Sequence, residues 1–175
     1  DRLARGDIDL TFDTGSKDEV GTLANAFSRM VSSLRELIGE MNHMSEQHNL
    51  GDTDVTVDES RFEGAYRQMA AGVNSMVAEN IAVNQKAMAC VAEFSRGNFE
   101  APLERFPGKK AFINENIELL RTNLKALIID TEKLVNAAVE GRLSTRADAS
   151  RHHGDFRKIV DGVNRTLDAA IEPVN

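Results

Sequence analysis

Two series of glycines recur along this chain of 175 residues at almost the same interval. The first series is Gly6, Gly51, Gly97 and Gly141, and subtraction of successive numbers gives intervals of 45, 46 and 44 residues. The second series is Gly21, Gly64, Gly108 and Gly154, at intervals of 43, 44 and 46 residues. A fixed period of this length is typical of chains built from repeated supersecondary units. The sequence therefore predicts four copies of one unit.

The residues that follow each glycine of the first series predict an extended connector. Many of them are Asp, Thr, Ser or Gly, which favour turns and irregular segments. Each connector also has two anchor positions, two and six residues after its glycine. The anchors are Ile8 and Phe12, Thr53 and Val57, Phe99 and Leu103, and Leu143 and Ala147. Because Thr53 and Ala147 bury less apolar surface than the others, we expect connectors two and four to be packed less firmly.

Between the connectors, the apolar residues advance by alternating threes and fours. In the first copy this stripe runs through Val20, Leu23, Phe27, Met30, Leu34, Leu37, Met41 and Met44. Such spacing keeps one narrow apolar stripe on a helix and is typical of a coiled coil. It predicts helices near residues 19–49, 63–96, 109–140 and 155–172. The second stripe starts at Phe62, and the fourth ends at Val174.

Two apolar stripes compete across residues 73–84. One passes through Met76, Asn80 and Val83, and the other through Val77, Ile81 and Asn84. The first stripe turns Asn80 inward, where its amide needs a hydrogen-bond partner. A shift between stripes is typical of a stutter, which locally unwinds a supercoil. We hypothesise that a small axial rotation exchanges the two stripes here; the alternative is that the packing is merely imperfect.

A helix with so narrow a stripe cannot bury it alone. An extended connector can return along the length of a helix, so the helices on its two sides can run parallel. Two such chains would form parallel four-helix bundles, stacked end to end because each long helix ends one unit and starts the next. The predicted fold class is all-α, and the predicted partner is a second copy in a parallel homodimer. The predicted units are 1–38, 39–81, 82–128 and 129–175.

Charge and composition argue against several classes of partner. The chain has 21 basic and 28 acidic residues, for a net charge of −7, and no basic patch clusters with aromatic residues. Neither a nucleic acid nor an anionic membrane surface is therefore expected to bind. No apolar run approaches the roughly 18 residues of a membrane span. The single Cys90 falls on an apolar stripe and is expected to be a small buried side chain.

Candidate catalytic and metal-binding residues are sparse. His43 and His48 are five residues apart, so they do not share a helix face, and neither HExxH nor CxxC accompanies them. His152 and His153 fall in a connector, where solvated side chains are expected. Phosphate-binding glycine loops and a nucleophile elbow are also absent from the sequence. The sequence predicts no enzyme, no metal site and no cofactor.

Three segments of the first copy carry a family resemblance. They are Leu3-Ala4-Arg5-Gly6-Asp7-Ile8, the acidic corner Asp18-Glu19-Val20-Gly21, and Leu23-Ala24-Asn25-Ala26-Phe27. Together they resemble a HAMP domain, the signal relay of bacterial receptors and sensor kinases. The first copy lacks most of the first helix of such a domain, so we expect Asp1 to mark a boundary within a longer protein.

The later copies diverge from this pattern at the acidic corner. The corner is replaced by Arg61-Phe62-Glu63-Gly64, Arg105-Phe106-Pro107-Gly108-Lys109-Lys110 and His153-Gly154-Asp155-Phe156. Divergent, concatenated units are similar to the poly-HAMP arrays of chemotaxis transducers. The stretch 162–168, continuing into 171–175, is similar to the exit into a further unit in methyl-accepting transducers.

The resemblance implies a cytoplasmic relay between a sensor input and a methyl-accepting or kinase-control output. Its implied partners are a second copy and neighbouring domains of the same receptor, whose membrane anchor would lie outside this segment. In the family the corner glutamate helps to hold the helices together, a role that would fall to Glu19 and, in a weaker corner, to Glu63. A ligand-binding helical-bundle sensor and a passive dimeric spacer remain open. The positions expected to carry structure and signalling are Gly6, Ile8, Phe12, Asp18, Glu19, Gly21, Gly51, Val57, Glu63, Gly64, Asn80, Gly97, Phe99, Leu103, Gly108, Gly141, Leu143 and Gly154.

Overall fold

A computed structural model describes residues 2–171, and the regular structure in that range is entirely helical. The long helices are α1 (Glu19–Asn49), α2 (Gly64–Ser95), α3 (Ala111–Val139) and α4 (Gly154–Ile171). Single 3-10 turns occur at Leu3–Arg5, Glu59–Arg61, Gly108–Lys110 and Ala149–Arg151. The all-α class and the four predicted helices are confirmed, with ends within two residues of the expected ones. The expected end at residue 172, and Val174, lie outside the described residues.

Helices α1 to α3 end in the same cap, which explains the period of the first glycine series. Gly51 has a φ of 98°, and its N–H donates to the carbonyl of His48 at 3.0 Å. The N–H of Asp52 reaches one residue further back, to the carbonyl of Gln47, also at 3.0 Å. Gly97 and Gly141 repeat this pair of bonds. This is the Schellman motif, which pairs the last helical carbonyls and favours glycine because its central residue is left-handed.

The second glycine series contains two different structures. Gly64, Gly108 and Gly154 have φ values of 53°, 55° and 56° where a helix or its leading turn begins. Gly21 instead lies in the first turn of α1, where a Cβ would come within 1.8 Å of the Ser16 carbonyl oxygen. Gly21 is therefore required by a close backbone approach that the other three positions lack.

The acidic corner works as a helix cap. Asp18 Oδ1 accepts hydrogen bonds from the Ser16 hydroxyl at 2.6 Å and from the Gly21 N–H at 3.0 Å. These two bonds, the Ser16 bond first, hold the pKa of the Asp18 carboxyl below its usual value, because they favour the charged form. Glu19 lies in the first helical turn and is exposed.

The chain divides into two compact units between Ala82 and Val83. In the first unit, successive residues of the connector between α1 and α2 contact successively earlier residues of each helix. The contacting pairs along α1 are His48–Val55 and Glu40–Arg61, and those along α2 are Asn74–Val57 and Arg67–Phe62. The connector is therefore antiparallel to both helices, and α1 and the first half of α2 run parallel to each other.

The second unit shows the same order twice. Around the connector between α2 and α3 the pairs are Glu93–Asn98, Cys90–Ala101, Lys86–Glu104, Lys125–Glu100, Arg121–Ala101 and Asn114–Phe106. Around the next connector they are Asp130–His152, Asp168–Arg146 and Asn164–Ala147. Neighbouring helices in this unit thus also run parallel, each pair with an extended segment running the opposite way beside it.

The second, third and fourth connectors each bury side chains in an apolar cluster with the helices before and after them. The first unit has one cluster, built on Leu37, Met44, Val57, Phe62 and Ala70. The second unit has two, built on Ala87, Cys90, Phe94, Ala101, Phe106 and Ile117, and on Leu134, Ala147 and Val160. Cys90 is buried, as the sequence predicts. Phe62 was expected to start a helical stripe, but it is in the connector, with an extended backbone (φ −122°, ψ 157°).

Exchange of two glycines for alanine should have opposite effects on stability. Gly51→Ala should lower the free energy of unfolding by about 1–2 kcal/mol, because a Cβ disfavours the left-handed backbone. Gly39→Ala should raise it by roughly 0.5–1 kcal/mol, since Gly39 lies inside α1 and an added Cβ would meet nothing within 4 Å. Urea unfolding at one protein concentration measures both, and effects of the same sign would contradict the capping role of Gly51.

Candidate functional site

The candidate site is the set of contacts through which each connector holds its two helices. In the first unit, Asn74 binds the connector as a second peptide group would. Its Oδ1 accepts from the Val57 N–H at 3.0 Å, and its Nδ2 donates to the Val57 carbonyl at 2.8 Å and to Glu59 Oε1 at 2.9 Å. Val57 is fully buried, so these bonds pair peptide groups that water cannot reach.

Asn164 makes the same pair of hydrogen bonds to a connector peptide group in the fourth copy, and we call this arrangement a clasp. Its side chain accepts from the Ala147 N–H at 3.0 Å and donates to the Ala147 carbonyl at 2.9 Å. Neither asparagine was predicted from the sequence to have this role. The signal was present, since Gly72-Val73-Asn74 recurs unchanged 90 residues later as Gly162-Val163-Asn164.

The third copy clasps its connector differently, because that connector is shorter. Its two glycines, Gly97 and Gly108, are 11 residues apart, against 13 in the second and fourth copies. Consequently Ala101 takes the buried place that Val57 and Ala147 have in their connectors, and the expected anchor Leu103 is only half-buried. Asn114 contributes a clasp one helical turn earlier on its helix, binding the Phe106 N–H at 2.9 Å.

Arg121 completes the clasp of the third copy. Its guanidinium donates to the Ala101 carbonyl at 2.7 Å and to the Phe99 carbonyl. The same group lies 4.8 Å above the centre of the Phe94 ring, a cation–π contact, and 3.8 Å from the Cys90 sulfur. The side chain is 13% exposed, so a single arginine joins both helices to the connector in a mostly dry setting.

The fourth copy contains a buried pair of a histidine and an aspartate that was not predicted from the sequence. His152 Nε2 donates to Asp130 Oδ2 at 2.6 Å, and both residues are 4% exposed. The expectation that His152 is solvated is therefore wrong, whereas His153 is exposed as expected. The two partners are 22 residues apart in sequence, and Asp130 lies on α3, so no local pattern linked them.

Two connectors share a turn built on aspartate. Asp58 Oδ1 accepts from the Ser60 hydroxyl at 2.6 Å and from its N–H at 3.0 Å, and Asp148 repeats this with Ser150 at the same distances. The serine hydroxyl bond is the largest cause that holds the pKa of each aspartate below its usual value. These exposed turns set the direction in which the chain enters the next helix.

The remaining expected positions are more exposed. In the first copy, Ile8 and Phe12 are half-buried, and the Phe12 ring stacks on Phe27 with centroids 6.0 Å apart. Glu63 and Asn80 are exposed, and Leu143 is only partly covered by its own chain. Both competing stripes on α2 supply contacts within the chain: Val77 of one packs on the cluster of the first unit, and Val83 of the other packs on the cluster built on Ala87 and Cys90.

Large apolar side chains remain exposed on every long helix. They are Val20, Leu23, Phe27 and Ile38 on α1, Met69, Met76 and Met88 on α2, Phe112, Leu119, Ile128, Ile129, Val135 and Val139 on α3, and Ile159 and Val163 on α4. On α3, Phe112 and Leu119 are 59% and 60% exposed and lie one heptad apart, so they share a face.

Among residues 2–171, no cluster of His, Cys, Asp or Glu could hold a metal ion. A search of the same residues finds no helix with the length and apolar character needed to cross a membrane.

Three segments match known families. Residues 1–36 and residues 151–175 each match a family described as HAMP domain, and residues 83–125 match HAMP N-terminal domain 3. The chain is also 38% identical over 121 residues to the methyl-accepting chemotaxis protein McpB of Pseudomonas aeruginosa. That alignment covers 69% of this chain but 17% of the relative, so the chain spans about a sixth of the relative's length.

Removal of the Asn74 side chain should release the connector locally. In Asn74→Ala the buried Val57 N–H and carbonyl lose their partners, so the Val57 amide should exchange with solvent about tenfold faster or more. Asn116→Ala is the matched control, because Asn116 is exposed on α3. Hydrogen exchange followed by NMR measures both variants. An unchanged Val57 rate in Asn74→Ala would show that the clasp does not hold the connector.

Proposed function

The chain is built from concatenated HAMP domains, and we propose that it relays conformational change from a sensor input to a signalling output in a bacterial receptor. One feature supports this above all: continuous helices contact successive connectors. Asn74, near the start of α2, binds the second connector, and Cys90 and Phe94, near its end, pack against the third. A rotation or shift of such a helix would change its contacts with both connectors, which a relay requires.

The proposed units are 1–38, 39–81, 82–128 and 129–175, each centred on one connector. Within them, the glycine caps and connector anchors keep the paired helices parallel, and Asp18, Glu19 and Glu63 act at the entrances to the second helices. This assignment extends the segments that match HAMP families to the residues between them. It includes every position that the sequence predicts to carry structure or signalling. It gives the module a signalling role without catalysis.

A parallel homodimer is the proposed working form. The large apolar side chains exposed on all four helices support it, because exposed apolar patches often mark an interface. In the dimer, each stripe would face its counterpart in the second chain, and two helices from each chain would form a four-helix bundle.

The input and output lie in other parts of the protein. Because a relative sharing this segment is named a methyl-accepting chemotaxis protein, we propose a methyl-accepting or kinase-control output and a cytoplasmic location for this segment.

Light scattering tests the homodimer. At micromolar concentration the parent should have twice the mass of one 19.3 kDa chain. Leu119→Glu should shift it towards monomer, since it places a charge in the proposed interface. Glu118→Gln changes an exposed side chain about 100° around the same helix and should leave the dimer intact. A compact parent monomer would contradict the proposed assembly.

A second substitution separates an active relay from a passive spacer. Asn80→Leu removes the amide that disfavours the inward position and should favour the stripe of Met76, Asn80 and Val83, biasing the resting output of the full receptor. Disulfide cross-linking of cysteines at positions 76 and 77, with Cys90 replaced by alanine, should shift towards position 76. Unchanged cross-linking together with a parental stimulus response would place the switch elsewhere.

A further inference from the structure

The buried pair of Asp130 and His152 occupies a site where other copies have an apolar ring. The positions equivalent to His152 in the second and third copies, 90 and 46 residues earlier, are Phe62 and Phe106, and both are buried. The positions equivalent to Asp130, at the same two offsets, are Glu40 and Asn84. Only the fourth copy therefore combines an imidazole with a carboxylate at these repeat positions.

The two anchor positions of the fourth connector bury little apolar surface. Leu143 is 46% exposed, and Ala147 buries only a methyl group. Its other contacts to α4 are the Asn164 clasp and the ion pair of Arg146 with Asp168, at 2.6 Å. Loss of the buried pair would remove the buried hydrogen bond between the end of this connector and α3.

Few other charges act on the pair. Arg151 Nη1 is 3.7 Å from Asp130 Oδ1, but its side chain is 62% exposed. Lys133 of α3 and Asp148 of the connector are exposed and attract each other, and His153 is exposed. In the described part of α4, the charged side chains pair elsewhere or face solvent, as Asp155 does with Lys158 at the surface. The net charge of the buried pair therefore depends on whether His152 is protonated.

We propose that the Asp130–His152 pair is a proton-dependent latch that holds the fourth connector against α3. With the imidazole doubly protonated, the pair is neutral overall and its hydrogen bond joins two charged groups, which is the strong kind. Loss of one proton leaves a buried carboxylate beside a neutral donor, with the exposed Arg151 guanidinium at 3.7 Å as its nearest countercharge. A buried charge that is so weakly compensated is unfavourable. Because histidine side chains change charge between about pH 5 and 8, the latch is closed at the acidic end of that range and loosens towards the alkaline end.

The latch would add pH control to the proposed relay, yet it is a contact within one chain. Its test therefore does not require a dimer or a signalling output, and it can fail while the relay proposal stands, or hold while that proposal fails.

Hydrogen exchange at about pH 6 and about pH 8 tests the latch across the range in which histidine changes charge. Each amide rate is divided by its intrinsic rate at that pH. From the acidic to the alkaline condition, protection of the Arg151 and His152 amides should fall about tenfold or more. The third connector, which has Phe106 and no histidine, should keep its protection.

Two variants make the test specific. The double substitution Asp130→Asn and His152→Phe copies the residues of the third copy and should remove the pH dependence while the connector stays docked. His153→Gln changes the exposed neighbour and should preserve it.

Equal protection of the parent at both pH values would overturn the proposal, as would a pH dependence that survives the double substitution or is lost in His153→Gln. If the double variant does not fold, the parent still decides. The imidazole NMR signals of His152 must then follow the same pH curve as the exchange of the Arg151 amide, and a different curve overturns the latch.

Discussion

An extended segment can pack between two parallel helices only if its buried peptide groups find hydrogen-bond partners there. Burial of an unpaired N–H or carbonyl costs more than an ordinary surface hydrogen bond contributes, so the helices must supply donors and acceptors from their side chains. Asn74 and Asn164 meet this need with an amide that matches the peptide group, and Arg121 meets it with a guanidinium that reaches two carbonyls. The parallel arrangement of the helices depends on these clasps.

The copies satisfy this one constraint with different chemistry, and the differences bear on signalling. The second and third connectors end in a buried phenylalanine, whereas the fourth ends in a buried histidine paired with Asp130. Apolar contacts are insensitive to protonation, whereas a buried hydrogen bond between two ionisable side chains is not. Units with the same backbone design can therefore respond differently to the same conditions, which is useful in an array whose copies act in series.

Much of this architecture follows from the sequence. The alternating three and four spacing locates all four helices, because a narrow apolar stripe is a strong signal over seven turns, and the glycine period marks the Schellman caps. Two features could not be predicted from the sequence, for physical reasons. The two-residue shortening of the third connector moves its buried residue from Leu103 to Ala101, which a fixed offset from Gly97 cannot reveal. Asp130 and His152 meet only through the tertiary fold, and a lone histidine in a polar segment looks solvated. The asparagine clasps were visible as a repeated Gly-Val-Asn triplet, but their role emerges only when the connector lies beside them.

The central claim is that these parallel helices present their exposed stripes to an identical chain in the same direction. Distances between spin labels on equivalent residues of two chains test it most directly, with Cys90 replaced by alanine and single labels at position 112 or 139, near the two ends of α3. A parallel dimer predicts distances below about 25 Å at both positions, as for closely packed helices. An antiparallel dimer would separate equivalent residues near each end by roughly the full helix length, about 40 Å. Long distances at both positions, or no measurable coupling, would contradict the claim.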